Sequence, residues 1–383
     1  MRRLNDRARA ALLLMRRLAR SEETIETAAL VVGAAALAVG FPVSWLLFGG
    51  ARLTITGDGS IGSYAAVGGA VVAALAFAFG RIVVRPRRPD GRSPRDGFIG
   101  PPDRLRWYDL FAIGAAYASV ALLGWTGIAV LLEMSFTGAP VYAFPGAILV
   151  GVAFALTAYV AFLGSVRLTP MTLSLDLAVF LVVGAFSAML TSSDPQWWQH
   201  NLSALGQTTN TAAIAFNATL LIAGIIVTTI ARYATAGLPV DTPARRRSRG
   251  LMRGGLILVG ICLALVGLFP VDRFFLVHNT VATGMVVVFA ALVCALPRLL
   301  SGLPRVFYAL GYAYVAVIAL LAVFFATGYY NLTAVELIAG VLVFSWIIVF
   351  LRTVSVAAAG PDDDGGDALA PAAGIGARVR PSS

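Results

Sequence analysis

The chain contains only two histidines, His200 and His278. An imidazole is the side chain best suited to moving a proton near neutral pH. The residues around these two therefore set the chemistry the chain can attempt. Asp272-Arg273 precede His278, Asn279 follows it, and Glu336 sits about one turn into the last apolar run. A pair of His278 with Asp272 or Glu336 would deprotonate a hydroxyl, and Arg273 would hold an anionic head group with its planar guanidinium. The expected catalytic set is thus His278, Asp272 and Glu336. The expected substrate-binding set is His200, Asn201, Ser203, Asn217, Arg273 and Asn279. The same residues also serve plainer ends, as helix caps and interhelical hydrogen bonds. A zinc site takes three or four ligands. With no His-x-x-x-His, it would need His200, His278 and a carboxylate together, so neither metal nor cofactor is expected. No Walker motif, Rossmann fingerprint or Gly-x-Ser-x-Gly elbow is present, so ATP-driven pumping by this chain alone is unsupported.

The elements that must position these residues follow from composition. Of 383 residues, 59% are hydrophobic and 13% charged, against roughly 25% charged in a soluble domain. With a mean hydropathy of +0.84, one water-soluble core cannot hide the excess. The chain needs lipid as its solvent, which excludes a soluble enzyme, a nucleic-acid-binding domain and a disordered scaffold. A span needs about 20 mostly apolar residues. Ten candidates occur, at roughly 27–50, 63–84, 107–134, 144–165, 173–191, 210–235, 251–270, 277–299, 305–328 and 333–351. The expected fold is an all-α polytopic membrane protein.

Arginine placement gives the orientation. The 29 basic residues, against 19 acidic ones, are all arginines and cluster between the apolar runs. If ten spans alternate, every arginine except Arg52 and Arg273 falls on one side. The positive-inside rule makes that side cytoplasmic, with both termini inside. The expected organisation is a basic juxtamembrane segment at 1–26, a four-helix region at 27–172, a six-helix domain at 173–352 and a disordered cytoplasmic tail at 353–383. Residues 1–20 also suit a basic amphipathic helix on anionic lipid. The expected location is the plasma membrane of a bacterium.

Finer expectations concern single residues. Pro42 should kink the first span. Gly33, Gly40, Gly69 and Gly80 suit close helix packing. Asp109 and Asp176 near inner ends and Glu133 near an outer end should reach water. Cys262 and Cys294 should be small buried hydrophobes, unpaired. Trp197-Trp198 suit the membrane interface, and Leu202 and Leu205 suit a short helix lying at that level. The polar candidates His200, Asn217, Asp272, His278 and Glu336 then share one outward level without being adjacent in sequence.

Residues 173–352 resemble the bacterial and archaeal six-span family called domain of unknown function 998. The stretches that carry the resemblance are His200-Asn201-Leu202-Ser203-Ala204-Leu205-Gly206, Phe216-Asn217, Gly267-Leu268-Phe269-Pro270-Val271-Asp272, His278-Asn279 and Glu336. Their order and spacing carry the weight. The family often has Arg after the last Glu, where this chain has Leu337. The resemblance implies a fold unit and no reaction, and it leaves the first four spans unaccounted for.

Three function classes fit. The favoured one is binding, remodelling or transfer of a lipid or lipid-linked molecule at the outer leaflet, with membrane lipids as partners and no nucleic acid. Transporter sites typically lie near the midplane, whereas these polar groups gather at an interface. The alternatives are a secondary transporter and a structural partner of another membrane protein. The sequence yields no complete set of nucleophile, base and orienting group, so it leaves open whether the protein is an enzyme.

Overall fold

In a computed structural model, residues 22–83, 106–207, 211–236, 238 and 240–359 are described. They form ten helices: α1 (Glu22–Phe48), α2 (Ile61–Val83), α3 (Trp107–Ser135), α4 (Ala143–Val166), α5 (Pro170–Leu190), α6 (Thr211–Ala236), α7 (Pro243–Leu268), α8 (Phe275–Leu299), α9 (Arg305–Ala326) and α10 (Leu332–Ala359). Each is long and apolar enough to cross a bilayer. The protein is therefore an all-α, multi-pass membrane protein. The expected segment 1–20 and most of the expected tail lie outside the described residues.

Helix ends differ from the apolar runs where capping chemistry overrides hydropathy. α7 begins at Pro243, well before the apolar stretch at 251. The Thr242 side chain accepts the Arg245 N–H at 3.2 Å, and Pro243 occupies the first helical position, where its missing N–H costs nothing. Thr169 and Pro170 start α5 in the same way. α10 runs through Ala359, past the expected boundary at 352. Pro42 lies inside a continuous α1. The connection before α10 turns at Gly328, whose φ of +73° suits a residue without Cβ.

The helices form two packed groups. α1 lies on α4, and α2 lies between α3 and α4; α6 packs on α5 and α7, α7 on α8, and α10 on α5, with α9 lightly held between α8 and α10. α3 joins the groups through α5 and α6. Lipid tails are as apolar as leucine, so close van der Waals contact must hold such helices together. A Cβ added to Gly40 would lie 2.6 Å from the Phe154 ring, and one on Gly33 would lie 3.0 Å from the Ala155 carbonyl oxygen. A Cβ on Gly260 of α7 would lie 2.7 Å from the Gly224 carbonyl oxygen of α6. In the second group Trp346 is fully buried, stacked on Phe307 and Phe350 and edge-on to Phe289.

Polar contacts tie each end. At one end Arg81 donates to the Ser165 carbonyl at 2.8 Å, and Glu26 meets both Tyr159 and, at 3.5 Å, Arg167. Asp109 does not reach water there, contrary to expectation. It is 4% exposed, forms an ion pair with Arg232 of α6 and accepts the Thr229 hydroxyl at 3.3 Å. A carboxylate buried between helices needs such a partner, and this one joins the two groups. Asp176 likewise turns inward, to the Tyr117 hydroxyl. At the other end, two short strands, β1 (Arg52–Leu53) and β2 (Val141–Tyr142), pair antiparallel in the register Arg52 with Tyr142. They join the α1–α2 and α3–α4 connections. Cys262 is buried, Cys294 is exposed and both are free thiols.

Candidate functional site

The α5–α6 connection contains two 3-10 turns, Trp197–Gln199 and Leu202–Gly206. Leu205 anchors the second turn, packing with Ala188 of α5, Leu123 of α3 and Phe216 of α6. Gly206 admits α6 closely: an added Cβ would lie 3.0 Å from the Phe216 ring. The neighbouring Asn217 side chain donates to the Gly206 carbonyl at 3.0 Å. The Phe-Asn pair of α6 thus fixes the end of this turn, Phe216 by contact and Asn217 by a hydrogen bond.

His278 reaches the turn from a different direction. α7 ends at Leu268, and Phe269 leaves the helical conformation with φ −112° and ψ 85°. Pro270 has no N–H to continue the ladder, and its carbonyl instead accepts from Arg273 and Phe274 in a tight turn. The chain then enters α8 with His278 in its first turn. The ring's Nδ1 lies 2.8 Å from the Phe269 carbonyl oxygen, and Nε2 lies 3.0 Å from Ser203 Oγ. A carbonyl can only accept, so in the neutral ring Nδ1 carries the hydrogen. Nε2 then presents its lone pair, and the Ser203 hydroxyl donates to it. Both residues are buried, His278 at 3% exposure and Ser203 at 9%.

α10 holds the same segment from a third side. Glu336 Oε2 accepts the Leu202 N–H at 2.6 Å, and the carboxylate also takes the Ser203 N–H. One turn earlier, Asn331 caps the helix by accepting the Ala334 N–H at 3.1 Å while its amide donates to the Trp198 carbonyl at 2.9 Å. Between them, Thr333 Oγ1 is buried without a protein partner, as is Asn201 Oδ1. The segment from Trp198 to Gly206 is therefore stapled to α6, α8 and α10 by side chains at the ends of those helices.

Of the residues singled out in the sequence, Ser203, Asn217, His278 and Glu336 meet on this segment, and Asn201 opens its second turn. The expected contact between His278 and a carboxylate does not form, because Phe269 and Ser203 occupy both ring nitrogens. Among the described residues Glu336 is linked to the histidine through Ser203. Asp272 is exposed and its ion pair is with its neighbour Arg273, at 3.9 Å. His200 is exposed and joins the turn through its backbone N–H, 3.2 Å from the Trp197 carbonyl. Asn279 is half-buried. Asn331 and Thr333 are not among the expected site residues, although an Asn just before the last apolar run is an N-cap signal. The Phe269 carbonyl carries no side-chain signature. Among the described residues no three His, Cys, Asp or Glu side chains gather as a metal cluster would need.

Residues 177–353, covering nearly all of α5 to α10, match the model of the family described as "Protein of unknown function (DUF998)". Neither a curated protein nor a solved structure matches the chain.

Proposed function

We propose that this protein binds and processes a lipid or lipid-linked molecule at the outer face of the plasma membrane of a bacterium, with the arginine-rich end of the bundle and both termini in the cytoplasm. The observation that carries the reading is the position of the polar cluster. Ser203, Asn217, His278 and Glu336 meet at the helix ends, whereas transporter sites typically lie at the midplane, on broken helices. Exposed Trp198 and half-buried Trp197 border the cluster, and indole rings favour the head-group region. Arg273 is 64% exposed in its side chain at the same end and suits an anionic head group.

Lipid extraction and mass spectrometry on the purified protein test this reading. The wild type is expected to retain one lipid class far above its share in the bulk membrane. His278→Ala and Glu336→Gln are expected to lose it or to hold it chemically altered. Bulk lipid only, with proton-coupled solute uptake in vesicles that Glu336→Gln abolishes, would replace this reading with a transporter.

A further inference from the structure

We propose that Ser203 is a nucleophile and His278 its general base, acting on the acyl ester of a membrane lipid. The inference rests on the lipid reading above and names its chemistry. Three observations carry it. The first is direction: the Phe269 carbonyl fixes the hydrogen on Nδ1, so Nε2 faces Ser203 Oγ at 3.0 Å as an acceptor. This is the arrangement in which an imidazole activates a hydroxyl, with the carbonyl supplying the orienting contact. The second is rigidity. The serine is also held by Glu336, which binds its backbone N–H, and the turn that carries it is anchored by Leu205 and Asn217. A nucleophile fixed through its backbone keeps its side chain free to react. The third is unspent hydrogen-bonding capacity. Thr333, 7% exposed, lies one turn before Glu336 on α10, and its hydroxyl has no partner; Asn201 Oδ1, next to Leu202, has none either. Buried polar atoms without partners are costly, and bound substrate or water would satisfy them.

The step balances with residues of the chain and two substrates. Ser203 Oγ bonds to the ester carbonyl carbon as its proton passes to His278 Nε2. The ester C–O bond then breaks, and the leaving alcohol takes the proton from Nε2. This leaves an acyl-serine. Water or an acceptor alcohol next attacks the acyl carbon, giving its proton to Nε2, and Ser203 departs with that proton restored to Oγ. No oxidant or reductant is involved. Ser203 and His278 are the catalytic residues; Glu336 is a positioning residue.

The test uses the full-length protein in lipid nanodiscs and a long-chain alkyl fluorophosphonate, which forms a stable adduct with an activated serine. Intact-mass and peptide analysis are expected to show a single adduct, on Ser203. Ser203→Ala should abolish it, and His278→Gln should slow it at least ~100-fold, the lower end of what a general base contributes. Folding of each variant is checked by its thermal transition and gel-filtration profile. A folded wild type that stays unlabelled, or is labelled elsewhere, overturns the proposal whatever the variants do. Equal labelling of a folded His278→Gln protein overturns the base. Lipid extraction from the same samples separates the two readings. A retained lipid class with no label on Ser203 leaves lipid binding standing and removes the acyl chemistry. Loss of both removes both.

Discussion

Glu336→Ala is expected to loosen the turn that carries Ser203 while leaving the bundle intact. The wild-type carboxylate accepts two backbone N–H groups, Leu202 at 2.6 Å and Ser203 beside it. Removing it strands both donors, and an unpaired buried donor costs about 1–3 kcal/mol. Leu202 is half-buried, so water restores part of its loss; Ser203 is buried, so its loss stands. Release of a partly buried carboxylate returns some desolvation energy. The net cost is about 2–4 kcal/mol, taken as local opening of residues 197–207 and not as global unfolding. At ~1.4 kcal/mol per factor of ten, that is a roughly 30- to 1,000-fold rise in amide exchange. Glu336→Gln keeps one acceptor oxygen while the other becomes an NH2 donor and the charge is lost, so its cost is about 1 kcal/mol, near fivefold. Hydrogen exchange with mass spectrometry on peptides covering 197–207 reads both variants. Unchanged protection in a folded Glu336→Ala protein would refute the stapling argument. Equal effects of Ala and Gln would refute the count of two acceptor contacts.

Two further predictions follow from the charge distribution. Asp109 is 5% exposed in its side chain and Arg232 31%, so breaking their pair is expected to cost unequally. Arg232→Met strands a buried carboxylate at about 3–5 kcal/mol, whereas Asp109→Asn keeps an acceptor oxygen beside a cation that can reach water, at about 1–2 kcal/mol. Thermal unfolding in detergent should rank them in that order, with the double variant recovering much of the loss; the reverse order sinks the burial argument. For orientation, single cysteines replacing Asp58, Gln196 or Tyr329 in a background without Cys262 and Cys294 should react with an impermeant thiol reagent on intact cells, and those replacing Asp241 or Ser301 should not. Labelling of the second pair would invert the topology.

The ten helices were legible because lipid imposes a simple rule: a span must stay apolar for about 20 residues. The rule fails where local chemistry takes over. Thr242 and Pro243 start α7 ahead of its apolar run, through arginines that hydropathy reads as loop. Strands of two residues, such as β1 and β2, leave no periodicity to detect. The sequence points Asp109 toward water because its partner lies 123 positions away on another helix. Within the site, the residue types were legible but their pairing was not. Charge complementarity suggested a carboxylate beside His278. The ring instead meets a serine 75 positions earlier and a main-chain carbonyl. Every residue has a carbonyl, so only the turn forced by Phe269-Pro270 makes this one available, and no side-chain pattern announces that.

The contacts also assign different work to the two helix groups. Ser203, Asn217, His278, Asn331 and Glu336, with every polar partner named for them, lie between Trp198 and Glu336. The family match at 177–353 therefore contains the polar site whole. Among the described residues the first four helices supply no polar group to it. Their reach toward it is apolar, through Leu123 of α3 against the cluster around Leu205. Their polar attachments, Asp109 with Arg232 and Tyr117 with Asp176, lie toward the opposite end of the same helices. α3, tied by these polar contacts toward one end and packed through Leu123 near the other, offers a path along its length to the turn that carries Ser203. Leu123 of α3 is accordingly a direct point of arrival for an influence of the first four helices on the site.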